Sequence, residues 1–287
     1  DQGRLEPDAA LIKRSYLRWG REFAKYLLGD FAIAIWDERS AKLLLARDPV
    51  GAKPLYFFCS PKRIAFGSEP GTLSRLLPRE CEQDREWIVL SLFGPHLTDA
   101  QGRTHWKGVE LLKAATVFEA GACFQRSWRY WRLERAEEER CRSSDHYAER
   151  FRELLQQAVD CRLRGAAKIG LEMSGGLDSA SIALMARKRF DPLRCAAFTH
   201  ASWIGARGQV WERRDEAARA LRYCEWLGVG EAERVEGPEQ GLIRLLRSGA
   251  RHRLGPAFDG WSACASPLYE RAQAFGCETL LSGAGGD

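Results

Sequence analysis

The first part of the chain alternates short apolar runs with turn residues. Each run is four to eight apolar or aromatic residues long and is bounded by glycine, proline or aspartate, which is typical of buried or half-buried β-strands. The runs predict strands over residues 29–37, 42–48, 55–59 and 64–68. Ahead of them, apolar positions between Ala10 and Trp19 predict one helix. This pattern indicates a mixed α+β domain.

Between Arg132 and Asp145 the apolar periodicity stops and charged residues take over. We therefore predict a linker over residues 134–145 that separates a domain of residues 1–133 from one of residues 146–287. The Ser-Ser-Asp sequence of residues 143–145 is typical of a helix N-cap. An amphipathic helix is predicted after it, because apolar residues recur at helical spacing. They are Tyr147, Phe151, Leu154, Leu155, Ala158, Val159 and Leu163.

The second half of the chain alternates predicted strands and helices. Strands are predicted over residues 168–173, 195–199 and 278–281, and helices over residues 179–188, 215–227, 239–248 and 266–275. Strands that are separated by helices indicate a parallel sheet covered on both faces, and such sheets bind ligands at the carboxyl ends of their strands. The second domain is therefore predicted to be an α/β domain.

Composition excludes several classes of protein. The 45% hydrophobic and 29% charged residues among 287 are enough for two buried cores, which excludes wholesale disorder. No apolar stretch reaches the roughly 18 residues of a membrane-spanning helix, and the first residues do not resemble a signal peptide. We therefore expect a cytoplasmic location and no membrane partner.

Charge and metal-binding residue types do not suggest a further site. The net charge is +5, but basic and acidic residues are interleaved between residues 126 and 142, so we expect no nucleic-acid partner. The nine cysteines contain no Cys-x-x-Cys pair and the five histidines no metal-ligand spacing. These patterns favour reduced thiols and give no support to a structural zinc site.

The sequence Ser-Gly-Gly-Leu-Asp-Ser at residues 174–179 lies between a predicted strand and a predicted helix. At such a junction, backbone N–H groups and the helix dipole favour an anion. The glycines allow close backbone approach and positive φ angles, and the serines offer hydroxyl donors. We therefore predict a phosphate-binding loop, whose residues are Ser174, Gly175, Gly176, Asp178 and Ser179. The alternative, an ordinary glycine-rich turn, explains the glycines but not the whole sequence.

A second turn, Ser-Gly-Ala-Gly-Gly-Asp at residues 282–287, follows the last predicted strand. In a parallel sheet the two turns can face one crevice, where Ser282 and Gly283 would also contact the nucleotide. Asp178 would repel a bare phosphate, which indicates a divalent cation such as Mg²⁺ between carboxylate and phosphate. We predict that Asp178 and Asp287 are the metal ligands and the catalytic carboxylates.

Residues 174–179 resemble the pyrophosphate loop of N-type ATP pyrophosphatases, and nearly the whole chain resembles the glutamine-hydrolysing asparagine synthetase family. The glutaminase domain of that family contains segments that are similar to residues 29–37, 45–56, 66–69 and 129–131. Its synthetase domain contains segments that are similar to Asp215-Glu216, Leu227-Gly228 and residues 256–287. The resemblance implies a partial N-terminal-nucleophile αββα sandwich, of the α+β class, followed by an α/β adenine-nucleotide hydrolase-like domain with a parallel sheet.

The resemblance also implies the chemistry. ATP, with Mg²⁺, would be cleaved to AMP and pyrophosphate while a carboxylate is activated as an acyl-adenylate, as in an AMP-forming carbon–nitrogen ligase with glutamine as amido donor. The backbone of Met173 would meet the adenine, and Asp8 would bind the amino group of glutamine. The implied partners are a small-molecule or peptide carboxylate and glutamine or another amine, and a homodimer is left open.

Several positions depart from the family pattern. The family's glutaminase nucleophile is a cysteine at the first position of the mature chain, whereas this sequence opens on Asp1, so we expect it not to hydrolyse glutamine on its own. A family lysine that stabilises adenylation would lie beyond Asp287. Glu172 occupies a strand position that is usually apolar, and Ala284 stands where asparagine synthetases have a glutamate tied to forming aspartyl-adenylate.

These departures leave three functions open. The first is ATP-dependent amide formation of the asparagine synthetase kind. The second is a macrolactam cyclase of the kind found in lasso-peptide clusters, or another amide synthetase, with a non-catalytic glutaminase-like domain; the loss of the glutamate at Ala284 favours it. The third, a nucleotide-binding module without catalysis, is disfavoured by the intact loop at residues 174–179.

Overall fold

A computed structural model describes residues 7–77, 81–93, 102–133, 143–200, 202–204, 210–212, 214–236 and 260–284 of the chain. Two compact units are present, one containing residues 7–133 and the other containing the described residues from 143 onward. Within these ranges no helix has the length and apolar character to cross a membrane. The predicted linker at 134–145 falls mostly outside the described residues.

The first unit contains two antiparallel sheets. One has the strand order β1-β2-β6-β7 and the other the order β4-β3-β5. The strands are β1 (Ala32–Asp37), β2 (Lys42–Arg47), β3 (Tyr56–Ser60), β4 (Arg63–Gly67), β5 (Val109–Leu111), β6 (Thr116–Gly121) and β7 (Phe124–Arg129). The helices are α1 (Asp8–Trp19), a 3₁₀ helix (Gly20–Tyr26), α2 (Pro70–Leu76) and α3 (Arg85–Phe93).

Three apolar cores order these elements into layers. The α1 and 3₁₀ segment packs on the four-stranded sheet through a core that includes Phe23, Ile33 and Val117. The two sheets pack face to face, with the rings of Phe57 and Phe118 4.6 Å apart. The remaining face of the three-stranded sheet is covered by α2, which completes a helix–sheet–sheet–helix order. This arrangement agrees with the αββα layers expected for the first domain.

The turn that carries the chain from one sheet to the other is fixed by two charged side chains. The carboxylate of Asp48 is fully buried and accepts hydrogen bonds from the backbone N–H groups of Val50, Ala52 and Lys53 at 2.8–3.2 Å. The Arg47 guanidinium donates to carbonyl oxygens, among them that of Lys53 at 2.7 Å. Because both charged side chains hydrogen-bond to backbone groups of the turn, they hold β2 and β3 in their places.

The second unit is built on a four-stranded sheet with the order β12-β9-β8-β13, in which all neighbouring strands are parallel. A separate antiparallel pair is formed by β10 and β11. The strands are β8 (Ile169–Glu172), β9 (Cys195–His200), β10 (Ser202–Ile204), β11 (Val210–Glu212), β12 (Glu231–Val235) and β13 (Thr279–Leu281). The helices are α4 (Ser144–Arg162), α5 (Leu177–Ala186), α6 (Arg214–Leu227) and α7 (Gly260–Phe275).

Helices cover both faces of this sheet. Residues of α4, α5 and α6 share one core with β8 and β9, whereas α7 packs on the opposite face through Leu268 and Ala272. The first strand of this unit, β8, therefore has β9 and β12 on one side and β13 on the other. Such a reversal of strand order opens a crevice at the carboxyl ends of the strands on either side of it.

The predicted start of α4 is confirmed, but its apolar pattern is only half buried. Ser143 is the N-cap, and its hydroxyl accepts a hydrogen bond from the N–H of His146 at 3.4 Å. Val159 and Leu163 lie in the core, whereas Phe151 is 66% exposed. Tyr147 and Leu154 are also exposed. The helical spacing was predicted correctly, but within this unit only the second half of the helix faces a partner.

Some strands were missing from the sequence prediction. Charged residues dominate β12, which lies at one edge of the parallel sheet, and β7, at the edge of an antiparallel sheet, exposes most of its side chains. Edge strands of this kind lack the apolar run or clean alternation that identifies a strand in a sequence. The helix predicted over residues 239–248 lies outside the described residues.

Seven cysteines in the described part of the chain are free thiols: Cys59, Cys81, Cys123, Cys161, Cys195, Cys224 and Cys277. Burial raises the pKa of Cys195 to about 12 and that of Cys224 to about 11. Both side chains lie in the apolar core of the second unit, whereas Cys123 is exposed. A thiol must ionise to react as a nucleophile, so the two buried cysteines are protected both by access and by protonation.

We expect iodoacetamide at mildly alkaline pH to alkylate Cys123 quickly and to leave Cys195 and Cys224 unmodified in the folded chain. Mass spectrometry of the labelled peptides measures this. In denaturing guanidinium all three should react alike, which is the internal control. Labelling of Cys195 in the folded chain at the rate of Cys123 would contradict the described core.

Candidate functional site

The turn between β8 and α5 leaves the first amides of the helix free of a side-chain cap. Gly176 is the N-cap residue, with φ −85° and ψ 171°, and no side chain caps it. The first backbone hydrogen bond of the helix runs from the N–H of Ala180 to the carbonyl of Gly176 at 3.2 Å. The N–H groups of residues 177–179 precede this bond and have no intrahelical acceptor. They form the positive end of the helix dipole at the carboxyl edge of the sheet.

A small hydrogen-bond network between the two predicted serines shapes this turn. The hydroxyl oxygens of Ser174 and Ser179 lie 3.1 Å apart, and the N–H of Ser174 donates to the Ser179 hydroxyl at 3.3 Å. The Ser179 hydroxyl in turn lies 3.3 Å from the carbonyl of Gly176, to which it donates. Ser179 is buried and Ser174 is exposed. The buried hydroxyl of Ser179 therefore stabilises the turn through hydrogen bonds, and the hydroxyl of Ser174 lies nearer to solvent.

Gly175 allows the turn to approach α6 closely. Its φ of +76° is a conformation that side chains disfavour. A Cβ atom at this position would lie 2.7 Å from the carbonyl oxygen of Glu216 and 3.3 Å from the amide nitrogen of Ala220. Both atoms belong to helix backbone, which cannot move aside cheaply. A glycine is thus required here for conformation and for space.

Gly283 brings the second glycine-rich turn against the first. A Cβ atom on Gly283 would lie 2.8 Å from the amide nitrogen of Ser179 and 3.2 Å from the Cβ atom of Asp178. Ser282 stabilises the turn, because its hydroxyl accepts a hydrogen bond from the N–H of Ala284 at 3.1 Å. The two turns therefore contact each other, as predicted, in the part of the chain that is described up to Ala284.

The carboxylates predicted to bind a metal are described only in part. Asp178 lies in the first turn of α5 and is exposed, beside the amides of the helix start. Asp287 lies outside the described residues. Among those that the structure describes, no group of three or more His, Cys, Asp or Glu side chains is placed to hold a metal ion. One exposed carboxylate next to free amides fits a cation that is bound together with a phosphate rather than by the protein alone.

The end of β8 contains a pair of polar side chains that the motif analysis did not identify. Met173 is almost fully buried, and its N–H donates to the carbonyl of Phe198 at 2.9 Å. Glu172, the last residue of β8, lies 3.8 Å from His200 at the end of β9, measured from Oε1 to Nε2. The sequence signal was a glutamate in an otherwise apolar strand. Its partner could not be identified without the strand register.

In the first unit, Asp8 is the first residue of α1 and is exposed. The residues before 7 lie outside the described part of the chain. The role of Asp8 in binding the amino group of glutamine stays a prediction.

Comparison with known proteins places each unit in a family. Residues 3–131 match the model of a glutamine amidotransferase domain, and residues 150–287 match the model of asparagine synthase. Asparagine synthetase [glutamine-hydrolyzing] 3 of Bacillus subtilis (strain 168) is 29% identical over 64% of this chain and 30% of its own length. Amidase chry2 of Gibberella zeae is 26% identical over 98% of this chain and 42% of its own length.

Among solved structures, the NH3-dependent NAD synthetase from Campylobacter jejuni is 15% identical with a TM-score of 0.29, over 48% of this chain and 56% of that chain. The chain spans less than half the length of the two curated relatives above. The two domain models together cover residues 3–131 and 150–287, in the order amidotransferase then synthase. The chain therefore belongs to the asparagine synthase-related family of proteins.

Proposed function

We propose that this chain is part of an ATP-dependent amide-forming ligase that activates a carboxylate as an acyl-adenylate and releases AMP and pyrophosphate. The observation that supports this most directly is the contact between Gly283 and the first turn of α5. This contact brings the two turns together beside the first amides of α5, at the point where the strand order reverses, which is where nucleotides bind in open α/β sheets.

The chain's own groups supply most of what a triphosphate needs. The N–H groups of residues 177–179 and the exposed hydroxyl of Ser174 would donate to phosphate oxygens. Their positions are set before binding, because Ser179 and the two glycines fix the turn. Donors that are already in place cost no reorganisation when negative charge shifts toward the leaving pyrophosphate.

The family implies Mg²⁺ as well, and Asp178 together with Asp287 would hold it. When bound, the cation would neutralise charge on the phosphates. The chain itself would place the Asp178 carboxylate within reach of a phosphate that is bound at the amides of residues 177–179. It would also leave those amides accessible to the phosphate. The exposed position of Asp178 in the first turn of α5 is compatible with both requirements.

The first unit supports glutamine as the source of nitrogen. It matches a glutamine amidotransferase domain over residues 3–131, and its helix–sheet–sheet–helix layers are described above. We propose that Asp8, at the start of α1, binds the amino group of glutamine. The whole reaction would then be a glutamine-dependent amidation of the asparagine synthetase kind.

A second candidate is amide formation on a carboxylate other than aspartate, including macrolactam closure on a peptide. One residue favours it. Ala284 is exposed in the turn after β13, at the place where asparagine synthetases have a glutamate, and the chain offers no carboxylate at that position. Pyrophosphate release tested with aspartate and with other carboxylates, in the longer protein, separates the two candidates.

We expect Asp178→Asn to weaken binding of Mg-ATP about tenfold or more, because a hard-cation ligand is lost with little change in side-chain volume. Isothermal titration calorimetry on the 287-residue chain measures this. In the presence of a chelator, the variant should bind ATP no more weakly than the unaltered chain does. Glu270→Gln, which removes an exposed charge on α7, is the matched control and should leave binding unchanged. Equal Mg-ATP affinity for Asp178→Asn would refute the metal assignment.

We expect Gly283→Ala to lower the affinity for ATP about tenfold or more, because the new methyl group would lie against the Ser179 amide and displace the turn. The matched control is Gly67→Ala, where a Cβ atom would make an ordinary 3.7 Å contact with Leu73 in the first unit. Thermal melting checks that both variants remain folded. A folded Gly283→Ala variant that binds ATP normally would show that the two turns do not form one site.

A further inference from the structure

Glu172 and His200 are the last residues of the two central strands of the parallel sheet. In the register of β8 and β9, Glu172 is paired with Phe198, so His200 lies two positions further along β9 and on the same face. The side chains are 14% and 23% exposed, respectively, and their carboxylate and imidazole lie 3.8 Å apart. The pair therefore lies at the carboxyl edge of the sheet and is open to solvent on one side.

The pair has no evident role in the core. The face of the sheet below it is apolar, and includes Ala196, Phe198 and Leu280. A carboxylate that is 14% exposed loses much of its hydration, and an imidazole 3.8 Å away is too distant to replace it with a hydrogen bond, so the pair is weak evidence for stability. A ligand that offers hydrogen-bond donors to the carboxylate would explain its position at the ligand-binding edge of the sheet.

The sheet topology limits where the rest of a nucleotide can lie. The proposed phosphate site, at the start of α5 and the turn after β13, lies at the ends of β8 and β13. β13 is the outer strand of the described sheet. On the other side of β8 the sheet continues through β9 and β12. If the phosphates occupy this site and the base lies along the strand ends rather than beyond the edge of the sheet, the base lies over the ends of β8 and β9.

We infer that Glu172, held in place by His200, recognises the amino group at position 6 of the purine base. This inference rests on the proposed ATP binding and adds a specificity-determining residue to it. A carboxylate has only acceptors, and it therefore pairs with the 6-amino group of adenine. A 6-oxo group at the same place, as in hypoxanthine or guanine, would set two acceptors against each other, and the base would have to shift to offer its N1–H donor to the carboxylate instead.

The test compares ATP, ITP and inorganic tripolyphosphate as ligands of the 287-residue chain by calorimetry, with Mg²⁺ present. ATP and ITP differ in the group at position 6, and tripolyphosphate has no base. We expect the unaltered chain to bind ATP about tenfold or more tightly than ITP. Glu172→Gln should abolish or reverse this preference, because an amide can also donate to a 6-oxo group. Its affinity for tripolyphosphate should not change.

Two further variants complete the experiment. Glu172→Leu restores the apolar character of the strand, so it provides a folded variant even if the glutamine variant is unstable, and it should bind ATP and ITP equally. Glu270→Gln is the control for loss of one charge and should keep the preference for ATP.

The outcomes separate the two proposals. No binding of tripolyphosphate or ATP by the folded, unaltered chain would overturn the proposed function itself. Binding of both, with the same ratio of ATP to ITP affinity in the unaltered chain and in both Glu172 variants, would overturn the role of Glu172 alone.

Discussion

The site depends on the absence of side chains at two positions. At Gly175 the backbone of the β8–α5 turn lies against the backbone of α6, and at Gly283 the turn after β13 lies against the first turn of α5. A single Cβ atom at either place would come within 3.0 Å of backbone. Three elements that are far apart in sequence can therefore converge on the start of α5. Their convergence brings the two glycine-rich turns together beside the first amides of α5.

Sheet topology explains why this convergence happens at β8. The chain leaves β8 through α5 and β9, continues to β12 on the same side, and returns along the other face through α7 to β13. The turns after β8 and β13 thus leave the sheet at the same edge, because all neighbouring strands are parallel. This placement follows from chain order and from the preference for right-handed crossovers, before any particular side chain is considered.

Much of this could be predicted from the sequence, and the exceptions have physical reasons. Apolar runs identified β1 to β4, β8, β9 and β13, and the glycine and serine pattern identified the turn between β8 and α5. Edge strands such as β12 lacked a signal because their side chains are charged and exposed. The exposed first half of α4 shows that periodicity identifies a helix but not its packing partner. The pairing of Glu172 with His200 required the register of two strands, which no local pattern contains.

If the chain binds ATP as proposed, the carboxylates of Glu172 and Asp178 must both lie near the triphosphate without repelling it. Asp178 lies beside the free amides, where the positive end of the helix dipole offsets its charge and a cation can share it with phosphate. Glu172 lies at the end of β8, next to an imidazole, and away from the amides of the α5 start. Because Asp178 lies beside the helix amides and Glu172 lies 3.8 Å from the imidazole of His200, we expect the backbone amides of residues 177–179 to determine where the phosphates bind.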